Sequence, residues 1–138
     1  PDSQVILVAN NKAIVSAIQL EIDLQLSALP RKDFATKALA NSKAIILNNQ
    51  DQAIDLINAY APEHLILAVD NALQIADKII NAGSVFIGNY SPESVGDYAS
   101  GTNHTLPTNG YANAYSGVSL DSFVKKIIFN NQESIFKF

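Results

Sequence analysis

The 138-residue sequence contains no cysteine, no methionine and no tryptophan. Without cysteine the chain cannot form a disulfide, a thiolate–metal bond or a cysteine nucleophile. The chain also opens on Pro1 without an initiator methionine. We therefore expect it to be a segment cut from a longer protein, with the rest of the working molecule elsewhere.

Basic residues are few and scattered. Nine Lys and Arg against thirteen Asp and Glu give a formal charge of -4, and the pI is near 4.9. This balance excludes an electrostatic footprint for nucleic acid or for an anionic membrane surface. No apolar run approaches the roughly eighteen residues that cross a bilayer, and the N-terminus lacks a basic segment followed by an apolar one. A cytoplasmic protein is the default expectation.

The sequence does contain short apolar runs that alternate with helical patterns. Hydrophobic residues make up 48% of the chain, which at this length predicts one soluble domain, residues 1–138. The alternation indicates an α/β fold, a layered, incomplete Rossmann-like arrangement with a mixed or mostly parallel sheet flanked by helices. Strands are predicted at 4–9, around 44–47, at 64–69 and at 84–88, and helices at 10–29, 31–42, 49–61, 70–83 and 119–129.

Residues 88–118 break every periodicity, with Gly, Asn, Ser, Thr and Tyr throughout. A structureless stretch of this length in a compact domain is typically a functional loop, because ordering it costs entropy and leaves many backbone groups to be paired. Gly83, Gly88 and Gly96 do not form a GxGxxG fingerprint between a strand and a helix. The residues that would bind a dinucleotide are therefore not identified by the sequence.

The two histidines, His64 and His104, each lie beside carboxylates or amides at the boundary of a predicted element. Histidine titrates near neutral pH, so each is a candidate for proton transfer or metal binding, the alternative being a hydrogen-bonded structural histidine. Glu63 directly precedes His64. Two adjacent side chains at an irregular joint can both point into a cleft, whereas on a regular strand they would point to opposite faces.

The loop adds Asp97, seven residues before His104 and flanked by Gly96 and Gly101. Asp and His could offer oxygen and nitrogen to zinc, with the glycines allowing tight backbone turns. The alternative is an Asx-rich loop held by its own side chain to backbone bonds, with Asp97 and Asn103 as turn formers. Zinc needs three or four protein ligands, and the sequence offers no convincing full set.

A common site for these candidates raises a geometric problem. Ligands of an open parallel sheet lie beyond the carboxyl ends of its strands, which suits the loop after strand 84–87 but not Glu63 and His64, which precede their strand. The two stretches can meet if strand 65–69 runs antiparallel to strand 84–87, or if the loop folds back across the sheet. We favour the antiparallel strand.

Three stretches together resemble the histidinol dehydrogenase family. They are APEHLILAV at 61–69, AGSVFIGNYSPESVGDYASGTNHTLPTNGYA at 82–112 and SLDSFVKK at 119–126. The family's Pro-Glu-His-Leu, Gly-Asp-Tyr and Gly-x-Asn-His-x-Leu-Pro-Thr occur in order and at similar spacing. The resemblance is strongest over 59–126 and extends across nearly the whole chain.

The resemblance implies an enzyme that oxidises L-histidinol through an aldehyde to L-histidine, with two NAD+ in sequence and a zinc ion. Glu63 and His64 match the family's acid–base pair: His64 would take the proton of the substrate alcohol, and Glu63 would help activate the water that attacks the aldehyde. Asp97 matches a zinc ligand that also lies at the substrate, and His104 matches a substrate-binding position. The family's dimer implies a homodimer for the full-length enzyme.

The family's other zinc ligands would lie just before Pro1 and beyond Phe138, and its NAD-binding segments lie mainly upstream. The resemblance therefore implies a segment that, in isolation, neither holds zinc tightly nor turns over histidinol. Two alternatives stay open. One is an aldehyde-dehydrogenase-like domain, although such enzymes need a cysteine nucleophile. The other is a non-catalytic module in which the loop binds a partner or holds a dimer together.

Overall fold

A computed structural model of the chain describes residues 2–130. By backbone contacts the chain divides into two compact units, Pro1–Tyr60 and Ala61–Phe138. Each unit has its own pair of strands and its own helices. That the two units form one domain stays a prediction.

The first unit is a parallel strand pair with three helices, as the sequence predicts. Asn11 begins the longest helix, because its side-chain oxygen accepts a hydrogen bond of 2.9 Å from the backbone N–H of Ile14. The helix ends before Pro30, which cannot continue it. Ile54 is the buried residue of this unit's described part. The elements are β1 Ile6–Ala9, α1 Lys12–Ala28, α2 Lys32–Asn41, β2 Lys43–Ile46 and α3 Gln50–Tyr60.

The second unit contains the other parallel pair. A small core of Ala61, Leu67, Ala72, Ile75 and Phe86 holds it together, and α4 packs against both strands. The elements are β3 His64–Leu67, α4 Ala72–Ala76, β4 Ser84–Ile87 and α5 Glu93–Tyr98, followed by two short 3-10 turns at Tyr111–Asn113 and Leu120–Phe123.

The predicted antiparallel strand is wrong. β3 and β4 are parallel, with His64 opposite Ser84 and Leu67 opposite Ile87. The connection over residues 68–83 contains α4, and a crossover of a dozen or more residues with a helix is what a parallel pair requires. All strand pairs in the described part of the chain are parallel.

Two predicted helices are shorter than the periodicity indicates. The helix predicted at 70–83 is regular only over Ala72–Ala76, and the one predicted at 119–129 is a 3-10 turn at Leu120–Phe123. Leu120 and Phe123 are each 79% exposed. Short helices depend on burying an apolar face, so a helical stripe that stays this exposed does not form a full helix.

The segment 88–118 is not structureless, because it contains α5 and a 3-10 turn. Pro92, with φ -70°, stands immediately before α5. At the start of a helix its missing N–H costs nothing. Further on, the side-chain oxygen of Asn103 accepts a hydrogen bond of 2.7 Å from the N–H of Thr105. Asn103 thus forms a turn, as the alternative of an Asx-rich loop predicts, whereas Asp97, the other turn former of that alternative, lies within α5. No helix within residues 2–130 is long and apolar enough to cross a membrane.

Candidate functional site

The joint at residues 61–63 delivers His64 to the start of β3. Two backbone hydrogen bonds fix it: the N–H of Gly83 donates to the carbonyl of Pro62 at 2.9 Å, and the N–H of Ser84 to that of Glu63 at 2.8 Å. A Cβ atom on Gly83 would lie only 2.5 Å from the Glu63 carbonyl oxygen. Glycine is therefore required for this close approach, which holds the backbone of Glu63 in place.

Ala61 opens the joint in an unusual conformation. Its φ is +50°, a left-handed value that costs a non-glycine residue about 1–2 kcal/mol. The residue is only 1% exposed, so the surrounding packing maintains the strained backbone. The turn redirects the chain from the end of α3 into β3 immediately before the candidate residues.

His64 lies between two carboxylates. Its Nδ1 is 3.8 Å from Oε1 of Glu63, and its Nε2 is 3.7 Å from Oε1 of Glu93. The three side chains are partly accessible, at 29%, 37% and 44% for His64, Glu63 and Glu93. The imidazole ring stacks on Phe86 with a centroid distance of 6.0 Å and an interplanar angle of 27°. The result is a half-buried imidazole with a carboxylate at each nitrogen.

Glu93 reaches His64 because α5 lies against the side chain of Phe86 in β4. A Cβ atom on Gly96 would lie 2.9 Å from Cζ of Phe86, so the missing side chain lets α5 approach the phenyl ring. The structure thus excludes the antiparallel route and brings one residue of the loop, Glu93, to His64. A common site that includes Asp97 and His104 stays a prediction. Sequence reasoning missed Glu93, because a glutamate in the first turn of a helix is common and carries no motif signal of its own.

Asp97 and His104 are exposed. Asp97 belongs to α5 and His104 to the irregular segment that follows, and within residues 2–130 no ion pair or hydrogen bond joins either to Glu63 or His64. No group of three or more His, Cys, Asp and Glu in that same range could hold a metal ion. The roles of Asp97 and His104 stay predictions.

An open cleft of about 360 Å³ lies at the opposite end of β3 and β4 from His64. The carboxyl ends of parallel strands are a common ligand position. Here, however, the cleft is lined by none of the candidate residues, whereas the Glu63–His64 joint carries two side chains that can transfer protons. Its lining consists of Val69, Asp70, Asn71, Ala72, Leu73, Gln74, Ile87 and Gly88.

Comparison with known proteins gives one consistent result. The family model described as histidinol dehydrogenase matches residues 1–135. Histidinol dehydrogenase of Bacteroides thetaiotaomicron is 57% identical over 128 residues, covering 93% of this chain and 30% of that protein. The chloroplastic histidinol dehydrogenase of Oryza sativa is 56% identical, covering 92% of this chain and 27% of that protein.

A crystal structure of histidinol dehydrogenase from Elizabethkingia anophelis superimposes with a TM-score of 0.89 at 58% identity, covering 91% of this chain and 29% of that one. The α/β fold is therefore that of a solved member. The chain spans about 30% of the length of the Bacteroides thetaiotaomicron relative. By its sequence and its fold, the chain belongs to the histidinol dehydrogenase family.

Proposed function

We propose that the chain is a segment of an NAD-dependent, zinc-containing histidinol dehydrogenase that oxidises L-histidinol through the aldehyde to L-histidine, the end of histidine biosynthesis. The names of its relatives and their identity over nearly the whole chain support this proposal. A homodimeric, cytoplasmic full-length enzyme is part of it. The segment would contribute the acid–base pair of that enzyme.

The geometry of Glu63 and His64 is the observation that carries the proposal. Oxidation of an alcohol requires a base for the hydroxyl proton, and oxidation of the resulting aldehyde to an acid requires an activated water. The imidazole and the carboxylate are 3.8 Å apart and both partly accessible. An oxygen at a hydrogen-bonding distance of about 2.8 Å from both atoms fits that separation. The same pair can thus serve a hydroxyl first and a water second.

Zinc and NAD+ are proposed only from the resemblance to the family. Zinc does not fit the described residues by themselves, since no group of three or more His, Cys, Asp and Glu within residues 2–130 could hold a metal ion. Asp97 would be one ligand among several supplied from elsewhere. NAD+ is the proposed oxidant, and no residue of this chain is assigned to it. The proton-transfer roles proposed for Glu63 and His64 do not depend on a position for zinc or for NAD+.

Kinetics of the full-length enzyme test the proposal. We expect His64→Asn to lower kcat with L-histidinol by about 10²- to 10⁴-fold, the usual contribution of a general base. Glu63→Gln should slow oxidation of the aldehyde more than that of the alcohol, because only the aldehyde step needs the water. NADH formation with each substrate measures both effects.

Asp121→Asn is the matched control, because it removes a carboxylate that pairs with Lys126 at 3.1 Å on the exposed surface. It should leave turnover unchanged. Wild-type turnover in both His64→Asn and Glu63→Gln would refute the proposed roles. Loss of assembly with no catalytic defect would instead support an interaction module.

A further inference from the structure

His64 has a carboxylate at each ring nitrogen, yet a neutral imidazole carries one N–H and one lone pair. It can therefore donate a hydrogen bond to only one of Glu63 and Glu93 at a time. The carboxylate that accepts the N–H decides which nitrogen keeps the lone pair. The identity of the base nitrogen thus depends on which glutamate holds the ring.

Packing places Glu93 at Nε2. Glu93 is the first residue of α5, and Gly96 of the same helix lies close to the phenyl ring of Phe86. That ring also stacks on the imidazole of His64. One buried side chain, 8% exposed, thus sets both the position of α5 and the plane of the imidazole.

The 3.7 Å between Nε2 and Glu93 Oε1 is an ion-pair distance, longer than a hydrogen bond. Catalytic hydrogen bonds are often long in the free enzyme and shorten when substrate binds. Glu93 is 44% exposed, and exposed ion pairs contribute little to stability. What Glu93 can supply is orientation of the ring.

We propose that Glu93 is a positioning residue for His64. Its carboxylate accepts the Nε2–H, and the Nδ1 lone pair, on the side of Glu63, is the base. The reacting oxygen then lies between Nδ1 and Glu63 Oε1, within reach of both groups. This inference rests on the proposed function of His64 and Glu63 and adds the residue that selects the base nitrogen.

Three variants of the full-length enzyme test the inference. Glu93→Ala should lower kcat for L-histidinol by about 10- to 100-fold, part of the contribution of a general base, with KM changed little. Glu93→Asp withdraws the carboxylate by one methylene and should also lose kcat. Glu93→Gln should recover most of it, because its amide oxygen still accepts the Nε2–H. Ser94→Ala, an exposed neighbour on α5, is the control.

Nitrogen NMR of enzyme labelled with ¹⁵N-histidine supplies a readout that a structural role would not move. The His64 signal, assigned by its absence in His64→Asn, should show the Nε2–H form in the wild type. Both forms should appear in Glu93→Ala and Glu93→Asp, while the Ser94→Ala spectrum stays that of the wild type.

Two kinetic outcomes would overturn the inference. A Glu93→Ala enzyme with wild-type kcat and an unchanged His64 signal would make the contact an incidental ion pair. A raised KM with unchanged kcat would mean that Glu93 binds the ammonium group of the substrate instead. A wild-type enzyme that does not oxidise L-histidinol would refute the proposed function. The NMR signal would still test whether the Glu93 carboxylate accepts the Nε2–H of His64.

Discussion

Replacing Gly83 with alanine should perturb the Glu63–His64 site, although Gly83 itself takes no part in the proposed chemistry. The added Cβ would meet the Glu63 carbonyl oxygen at 2.5 Å and its carbonyl carbon at 3.3 Å. The Glu63 carbonyl accepts a hydrogen bond from Ser84, and the Pro62 carbonyl beside it accepts one from Gly83, so relief requires the start of the β3–β4 pair to separate.

The expected cost follows from those contacts. Loss of two backbone hydrogen bonds, at about 1 kcal/mol each, destabilises the protein by about 2 kcal/mol. The reduced freedom of the unfolded chain with alanine offsets about 0.4–1 kcal/mol of that. A net loss of about 1–1.6 kcal/mol remains. The same displacement moves Glu63 away from His64 and should lower turnover as well.

Thermal unfolding of the full-length enzyme followed by circular dichroism, together with NADH formation, measures both effects of Gly83→Ala. Gly88→Ala is the control, since Gly88 has φ +87° but open space around its Cβ position and follows the far end of β4. It should cost stability through its backbone conformation without lowering kcat. A Gly83→Ala enzyme with wild-type Tm and wild-type kcat would show that the close approach to Glu63 is not required.

Two further predictions concern packing and capping. Gly96→Ala should push α5 away from Phe86, because the new Cβ would lie 2.9 Å from Cζ of the ring. Glu93 would then move away from His64, and kcat should fall. Unchanged kinetics would contradict the role of this contact. Asn11→Ala should remove the N-cap of α1 and cost about 1 kcal/mol. Its Tm should fall while kcat stays constant, and Asn11→Asp, which keeps a capping oxygen, should restore the Tm.

Local patterns predict the first unit well and the second unit less well. The strands and helices through α3 follow from apolar periodicity, the cap at Asn11 and the break at Pro30, which act over a few neighbouring residues. The stripe around Leu120 and Phe123 has the same periodicity but stays exposed, and it forms only a 3-10 turn. Periodicity predicts which face a helix would bury, and packing decides whether it forms.

The candidate site, like the fold, could be predicted only in part from local patterns. Residue type and spacing indicate Glu63 and His64, because an acid and an imidazole at an irregular joint are unusual and match a family motif. Glu93 gave no such signal. Its contact with His64 depends on the parallel direction of β3 and on α5 lying against Phe86. Both features join residues far apart in the chain.

The sequence by itself determined the α/β class, most of the element positions, the family and the choice of Glu63 and His64 as candidate residues, since each depends on local pattern or on a contiguous motif. Only the tertiary structure decided the strand direction, the extent of the last helices and the second carboxylate at His64. The physical reason is that these features depend on crossover geometry and on close approaches at Gly83 and Gly96. Such contacts are invisible until distant segments are brought together.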